Sequence, residues 1–123
     1  FYLYGEGQSQ SSLWPQLKAA VARGDAVFDM SGGEQVRDYL PVRDVASALV
    51  DLALSHPDAG VVNICSGKPV TVRALVEGWI RENASPIKLN LGHYPYPDYE
   101  PMDFWGDRRK LDHFLSHGVG VPK

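Results

Sequence analysis

A chain of 123 residues with 44% hydrophobic and 22% charged residues has the make-up of one ordinary globular domain, able to bury roughly two thirds of its unfolded surface. The net charge of −3 is spread over scattered lysines and arginines, so no basic patch is offered; nucleic acid and anionic membrane are excluded as expected partners, but one small anionic ligand is not. No apolar run is long enough to span a bilayer, no signal peptide is visible, and the single cysteine, Cys65, allows no internal disulfide, all of which fits a cytoplasmic protein.

Phe1 to Tyr4 reads as a short buried strand ending at Gly5, and because it opens the chain abruptly, without methionine, we expect a piece of a longer polypeptide. A loop from Glu6 to Ser12 leads into a helix, on which Leu13, Trp14, Leu17, Ala20 and Val21 recur at helical spacing until Gly24. Ala26 to Met30 is a strand, turned at Ser31-Gly32-Gly33 and paired with Gln35 to Leu40 as a hairpin. Asp44 stands in the first turn of the next helix, where a carboxylate favours the positive end of the dipole. The apolar residues of that helix, Val45, Ala46, Ala48, Leu49, Val50, Leu52, Ala53 and Leu54, run almost all the way round it and predict burial on two sides before His56-Pro57 ends it. Val61 to Cys65 is the next strand. Thr71 caps a third helix with a stripe of Val72, Leu75, Val76, Trp79 and Ile80, and Ile87 to Leu91 is another strand. Gly92 to Trp105 is a loop rich in proline and aromatic residues, too long to be a mere connection, and a last helix runs from about Asp107 to His117. The alternation predicts a small α/β region with short strands and about four helices, residues 1–123 forming a single domain.

Chemistry concentrates in the stretch from Gln35 to Ala46. On a strand, alternation puts Arg37 and Tyr39 on one face and Val36, Asp38 and Leu40 on the other. The planar fork of an arginine suits phosphate or carboxylate, since it donates two parallel hydrogen bonds. A pairing of Arg37 with Asp38, Glu34 or Asp44 explains the same residues with equal weight. Gly5-Glu6-Gly7 lacks both the dinucleotide pattern and the Walker lysine and reads as a turn, as does Gly32-Gly33. Cys65 ends an apolar run and reads as a buried, inert thiol. His113 and His117 lie four apart without a third ligand, so no metal site is expected. Among Asp98, Glu100, Asp103 and Asp107 no two are singled out as a catalytic pair. The aromatic residues Tyr94, Tyr96, Tyr99, Phe104 and Trp105 serve equally as a substrate lid or as a cover for the core.

Three motifs in order, Phe1-Tyr2-Leu3-Tyr4-Gly5, then Arg37-Asp38-Tyr39 followed by Val42-Arg43-Asp44-Val45-Ala46, then Val62-Asn63-Ile64-Cys65-Ser66-Gly67, resemble the carboxyl-terminal part of the extended short-chain dehydrogenase/reductase family. That family holds the NAD-dependent nucleotide-sugar epimerases, dehydratases and reductases. The resemblance implies a fragment of a Rossmann-type fold and the substrate-binding portion of an NAD(P)-dependent enzyme. The family's glycine-rich cofactor loop and its Tyr-x-x-x-Lys pair would lie upstream of Phe1. No catalytic residue is therefore assigned, and the isolated chain is expected to be inactive and to carry no bound NAD or NADP.

By the same resemblance Phe1 borders the nicotinamide and Tyr2 the sugar or phosphates. Phe28, Asp29 and Met30 form the strand beside the base, Arg37 holds the diphosphate, Glu100 accepts the ribose hydroxyls, and Phe104 joins the substrate contacts. Pro97 stands where many members have a second phosphate-binding arginine, Glu6 where a proline is usual, and Arg43 where an acid is common. Lys68, Arg108 or Arg109 is then expected to compensate, or the substrate is not a standard nucleotide diphosphate sugar. The implied partner is a nucleotide sugar or related phosphorylated small molecule, with a homodimer possible through the Phe1 to Tyr4 strand. The competing reading is a stand-alone, non-catalytic α/β module that binds a ligand or protein through the proline-aromatic loop.

Overall fold

Apolar periodicity decides where this chain is helical, and long-range pairing decides where it is extended. A computed structural model describes residues 1–116. In chain order the elements are β1 (Tyr2–Tyr4), α1 (Leu13–Arg23), β2 (Val27–Asp29), β3 (Val36–Arg37), β4 (Tyr39–Pro41), α2 (Val42–Ser55), β5 (Val70–Thr71), α3 (Val72–Glu82), β6 (Lys88–Asn90) and α4 (Arg109–Ser116). They gather into two compact units. Among the described residues one comprises Phe1–Gly5, Asp38–Lys68 and 105–116, and the other Glu6–Arg37 and Pro69–Phe104.

In the first unit β1 runs parallel to β4 in the register Tyr2 to Tyr39, Leu3 to Leu40 and Tyr4 to Pro41, and the rings of Tyr2 and Tyr39 stack 5.4 Å apart. β4 passes directly into α2 at Pro41, whose fixed φ of −59° suits a helix entry. The expected burial is not met here. All three residues of β1 are exposed, and α2 buries only Ala48 while Leu49, Val50 and Leu54 stay exposed. Apolar residues around a helix state what it can bury, and too little packs on α2 among the described residues to use that capacity. Val61 to Cys65 is likewise not a strand, although Cys65 is fully buried; a strand requires a hydrogen-bonded neighbour, and among the described residues the sheet of this unit is the two-stranded β1–β4 pair. The last helix begins at Arg109, and the expected His113–His117 pair cannot be placed because His117 lies outside the described residues.

The second unit holds a core of Trp14, Leu17, Ala20, Phe28, Met30, Val76 and Ile87, contributed by α1, β2, α3 and the approach to β6. α1 ends at Gly24 in the left-handed conformation, φ 76°, with its N–H returned to Ala20 and Val21 carbonyls. Thr71 caps α3 as expected, its Oγ1 accepting from the Ala74 N–H at 3.1 Å. The expected hairpin is absent: β2 pairs in parallel with β6, and β3 pairs antiparallel with β5. The two glycines serve close approach instead. A Cβ on Gly33, which has φ +71°, would meet the Arg73 backbone at the start of α3, and one on Gly32 would meet the Tyr96 hydroxyl. The predicted strand Gln35 to Leu40 is also interrupted, at Asp38, so that β3 and β4 take different partners. Among the described residues no helix is long and apolar enough to cross a membrane.

Candidate functional site

Arg37 ends β3, and the proline-aromatic loop returns beside that strand. Val36 donates its N–H to the Met102 carbonyl at 2.9 Å and accepts from the Phe104 N–H at 3.2 Å, so residues 102–104 lie along β3 as a strand would. The loop is anchored a second time by Tyr96, whose hydroxyl donates to Glu34 Oε1 at 3.0 Å and accepts from the Glu34 N–H at 3.2 Å. These contacts bring Glu100, Met102 and Phe104 to one guanidinium. Arg37 Nη1 donates to the Val36 and Met102 carbonyls at 2.9 and 2.7 Å, Nη2 donates to Glu100 Oε2 at 3.3 Å, and the cation sits 4.4 Å from the centroid of the Phe104 ring.

The arginine is only 2% exposed. A buried cation must be neutralised and hydrogen-bonded, and the Glu100 carboxylate, 63 residues away in sequence, faces it. That acid is one the reading of neighbouring residues, which offered Asp38, Glu34 and Asp44, did not name.

Elsewhere in this unit, Phe28 and Met30 point into the core, while Asp29 faces outward at the carboxyl end of β2. Its carboxylate accepts from Asn90 Nδ2 at 2.9 Å and lies 3.8 Å from His93 Nε2. Within the loop Tyr94 and Tyr99 are exposed, so neither serves as a cover for the core; Phe104 is partly buried against Arg37.

In the other unit the notable group is one the sequence did not single out. Asp38 is fully buried and accepts three main-chain hydrogen bonds: Oδ1 from Ser66 N–H at 2.7 Å, and Oδ2 from Gly67 and Gly106 N–H at 2.9 and 3.1 Å. Burial pushes its carboxyl up, but the hydrogen bonds from Ser66, Gly106 and Gly67 outweigh burial and hold it below the ordinary carboxylate range. The signal that would have found it is the pair Gly67 and Gly106, since glycines let main-chain N–H groups approach a carboxylate closely. Gly106 is further restricted because an added Cβ would fall on Cys65 Sγ.

Burial and the neighbouring Asp38 carboxylate push the Cys65 thiol up, as suits an inert group. Arg108 donates to the Cys65 carbonyl at 2.6 Å and to Asp112 at 2.7 Å, and Asp107, held near a pKa of about 2 by Arg109, accepts the Arg109 N–H at the head of α4. An open groove of about 670 Å³ runs past Lys68, Trp105, Arg108 and Arg109. Phe1 and Tyr2, the residues expected nearest a nicotinamide and a sugar, are both exposed in this unit.

The α/β arrangement with its parallel pairs is that of the Rossmann-type epimerases and dehydratases. Residues 1–65 match the family model described as the NAD dependent epimerase/dehydratase family, and the chain belongs to that family. It is 27% identical over 106 residues, 86% of its length, to the dTDP-6-deoxy-L-talose 4-dehydrogenase (NAD(+)) of Aggregatibacter actinomycetemcomitans, of which it covers 39%. Among solved structures, TunA, an NAD-dependent NDP-hexosamine 5,6-dehydratase involved in tunicamycin biosynthesis, superposes with a TM-score of 0.79 at 28% identity, over 98% of this chain and 39% of that one. The UDP-N-acetylglucosamine 4-epimerase of Methanobrevibacter ruminantium M1, solved with UDP-N-acetylmuramic acid, gives 0.79 at 25% identity, over 100% and 39%. The chain thus spans about two fifths of the length of the relatives it matches.

Proposed function

We propose that this chain is the carboxyl-terminal, substrate-binding part of an NAD(P)-dependent nucleotide-sugar epimerase, dehydratase or reductase, acting in the cytoplasm. The observation that carries the reading is the buried fork of Arg37, held in one orientation by two main-chain carbonyls with its other edge turned to a carboxylate. Such a fork is preorganised for an oxyanion. Arg37 holds the substrate's phosphates, Glu100 accepts its ribose hydroxyls, and Phe104 adds contact area. Phe28, Asp29 and Met30 supply the strand that borders the base, with Asp29 its outward-facing side chain.

The residues present do not make a dinucleotide site. The 123 residues contain neither Gly-x-Gly-x-x-Gly nor Tyr-x-x-x-Lys, so only Phe1 is assigned to the nicotinamide's surroundings. In the complete enzyme the nicotinamide would supply hydride exchange, and this chain would bind and orient the sugar nucleotide for it. Alone, it is expected to turn over no substrate.

The reading frame upstream of the Phe1 codon tests the proposal. A glycine-rich βαβ segment followed by Tyr-x-x-x-Lys is expected there. A start codon at or just before Phe1 would overturn the enzyme reading in favour of a stand-alone binding module.

A further inference from the structure

The two edges of the Arg37 guanidinium are held in different ways. The Nη1 bonds run to carbonyls of Val36 and Met102, which are themselves fixed by the pairing of residues 102–104 with β3. The Nη2 bond is longer, 3.3 Å, and ends on a flexible side chain whose carboxylate side is 37% exposed. A carboxylate and a phosphate on the same edge of one cation repel each other, and the partly solvated one moves at the lower cost.

We propose, on the reading of Arg37 as the phosphate-holding residue, that Glu100 is an internal counter-anion occupying the ligand edge of Arg37, which an incoming phosphate must displace. Without ligand it sets a carboxylate against a cation that is 2% exposed. With ligand it gives up Nη2, and the freed carboxylate is then available to a hydroxyl donor such as the ribose. Main-chain bonds at Met102 and Phe104 and the Tyr96–Glu34 pair keep the loop against β3 while one side chain rotates. Glu100 therefore sets anion affinity and selects for ligands that offer a hydroxyl close to a phosphate.

Inorganic pyrophosphate, which has no hydroxyl to offer, isolates the competition. It is titrated calorimetrically into the full chain, into Glu100→Gln, into Asp98→Asn and into Glu100→Gln/Arg37→Lys, each first checked for native circular dichroism. Glu100→Gln is expected to bind about tenfold more tightly than the unaltered chain, roughly 1.4 kcal/mol. Asp98→Asn, which removes an exposed charge from the same loop, is expected to stay within twofold.

Equal or weaker binding by Glu100→Gln overturns the proposal, as does equal tightening by Asp98→Asn, which would make the effect one of general charge. If adding Arg37→Lys to Glu100→Gln abolishes binding while Glu100→Gln alone fails to tighten it, the displacement fails and the phosphate role of Arg37 stands. If Arg37→Lys leaves the tightened binding intact, or no variant binds pyrophosphate, both fail.

Discussion

Asp38→Asn is the most informative single perturbation of the fold, because one atom's change reaches three segments of chain. The carboxylate receives N–H groups from Ser66, Gly67 and Gly106 at 2.7, 2.9 and 3.1 Å inside a fully buried site. An asparagine can keep its oxygen toward Gly67 and Gly106, but its amide then faces the Ser66 N–H, donor against donor. The loss is one charge-assisted bond, a buried donor left unpaired, and two further bonds weakened to neutral strength, together about 2–4 kcal/mol. Urea unfolding of the 123-residue chain should show the midpoint falling by about 1–2 M at an unchanged slope. The pH dependence follows from the direction of the shift. Asp38 is held below its ordinary value when folded, so its stabilisation is complete above about pH 4 and is lost as pH falls through the folded value. The gap between the two chains should therefore narrow below pH 4. A loss under about 0.5 kcal/mol at pH 7, or a gap that does not change with pH, would refute the assignment of Asp38 as a clamp.

Gly106→Ala should destabilise the chain by about 1–3 kcal/mol, since the new Cβ falls on Cys65 Sγ, and the added substitution Cys65→Gly should restore most of that loss in the same unfolding assay. Thr71→Ala removes the cap of α3 and should cost about 1 kcal/mol, read by thermal unfolding. The Cys65 thiol, buried beside a carboxylate, should react with a disulfide reagent at pH 8 far more slowly in the folded chain than in urea; equal rates would contradict its burial.

The helices were legible because each carries its own signal. The stripe of α3, the cap at Thr71 and the glycine after α1 are local, and all appear where the spacing puts them. The extended segments carry only half of theirs. Val27–Asp29 and Lys88–Asn90 are separated by some sixty residues, and nothing within either names the other, so local pattern favours the nearer hairpin. Likewise the apolar circumference of α2 is readable in sequence, but not how little of it the described residues cover.

The site divides in the same way. Arg37 stands out by residue type, and Glu100 was reached only through a family register, yet the fold sets the two side by side. Asp38 was read as a face-filling strand residue because its partners are main-chain groups 28, 29 and 68 residues away, which leave no side-chain trace in sequence beyond two glycines.

The role of Arg37 is open to one kinetic measurement in the complete polypeptide: the nucleotide-sugar KM and the NAD dissociation constant of Arg37→Ala, with Arg37→Lys as the variant that keeps the charge and loses the fork. The expected result is a KM raised about 100-fold in Arg37→Ala, the loss of roughly 3 kcal/mol of charge-assisted hydrogen bonding, with Arg37→Lys in between and NAD affinity unchanged in both. An unaltered KM in Arg37→Ala would contradict the phosphate-holding role and leave Arg37 as a tie between β3 and the loop.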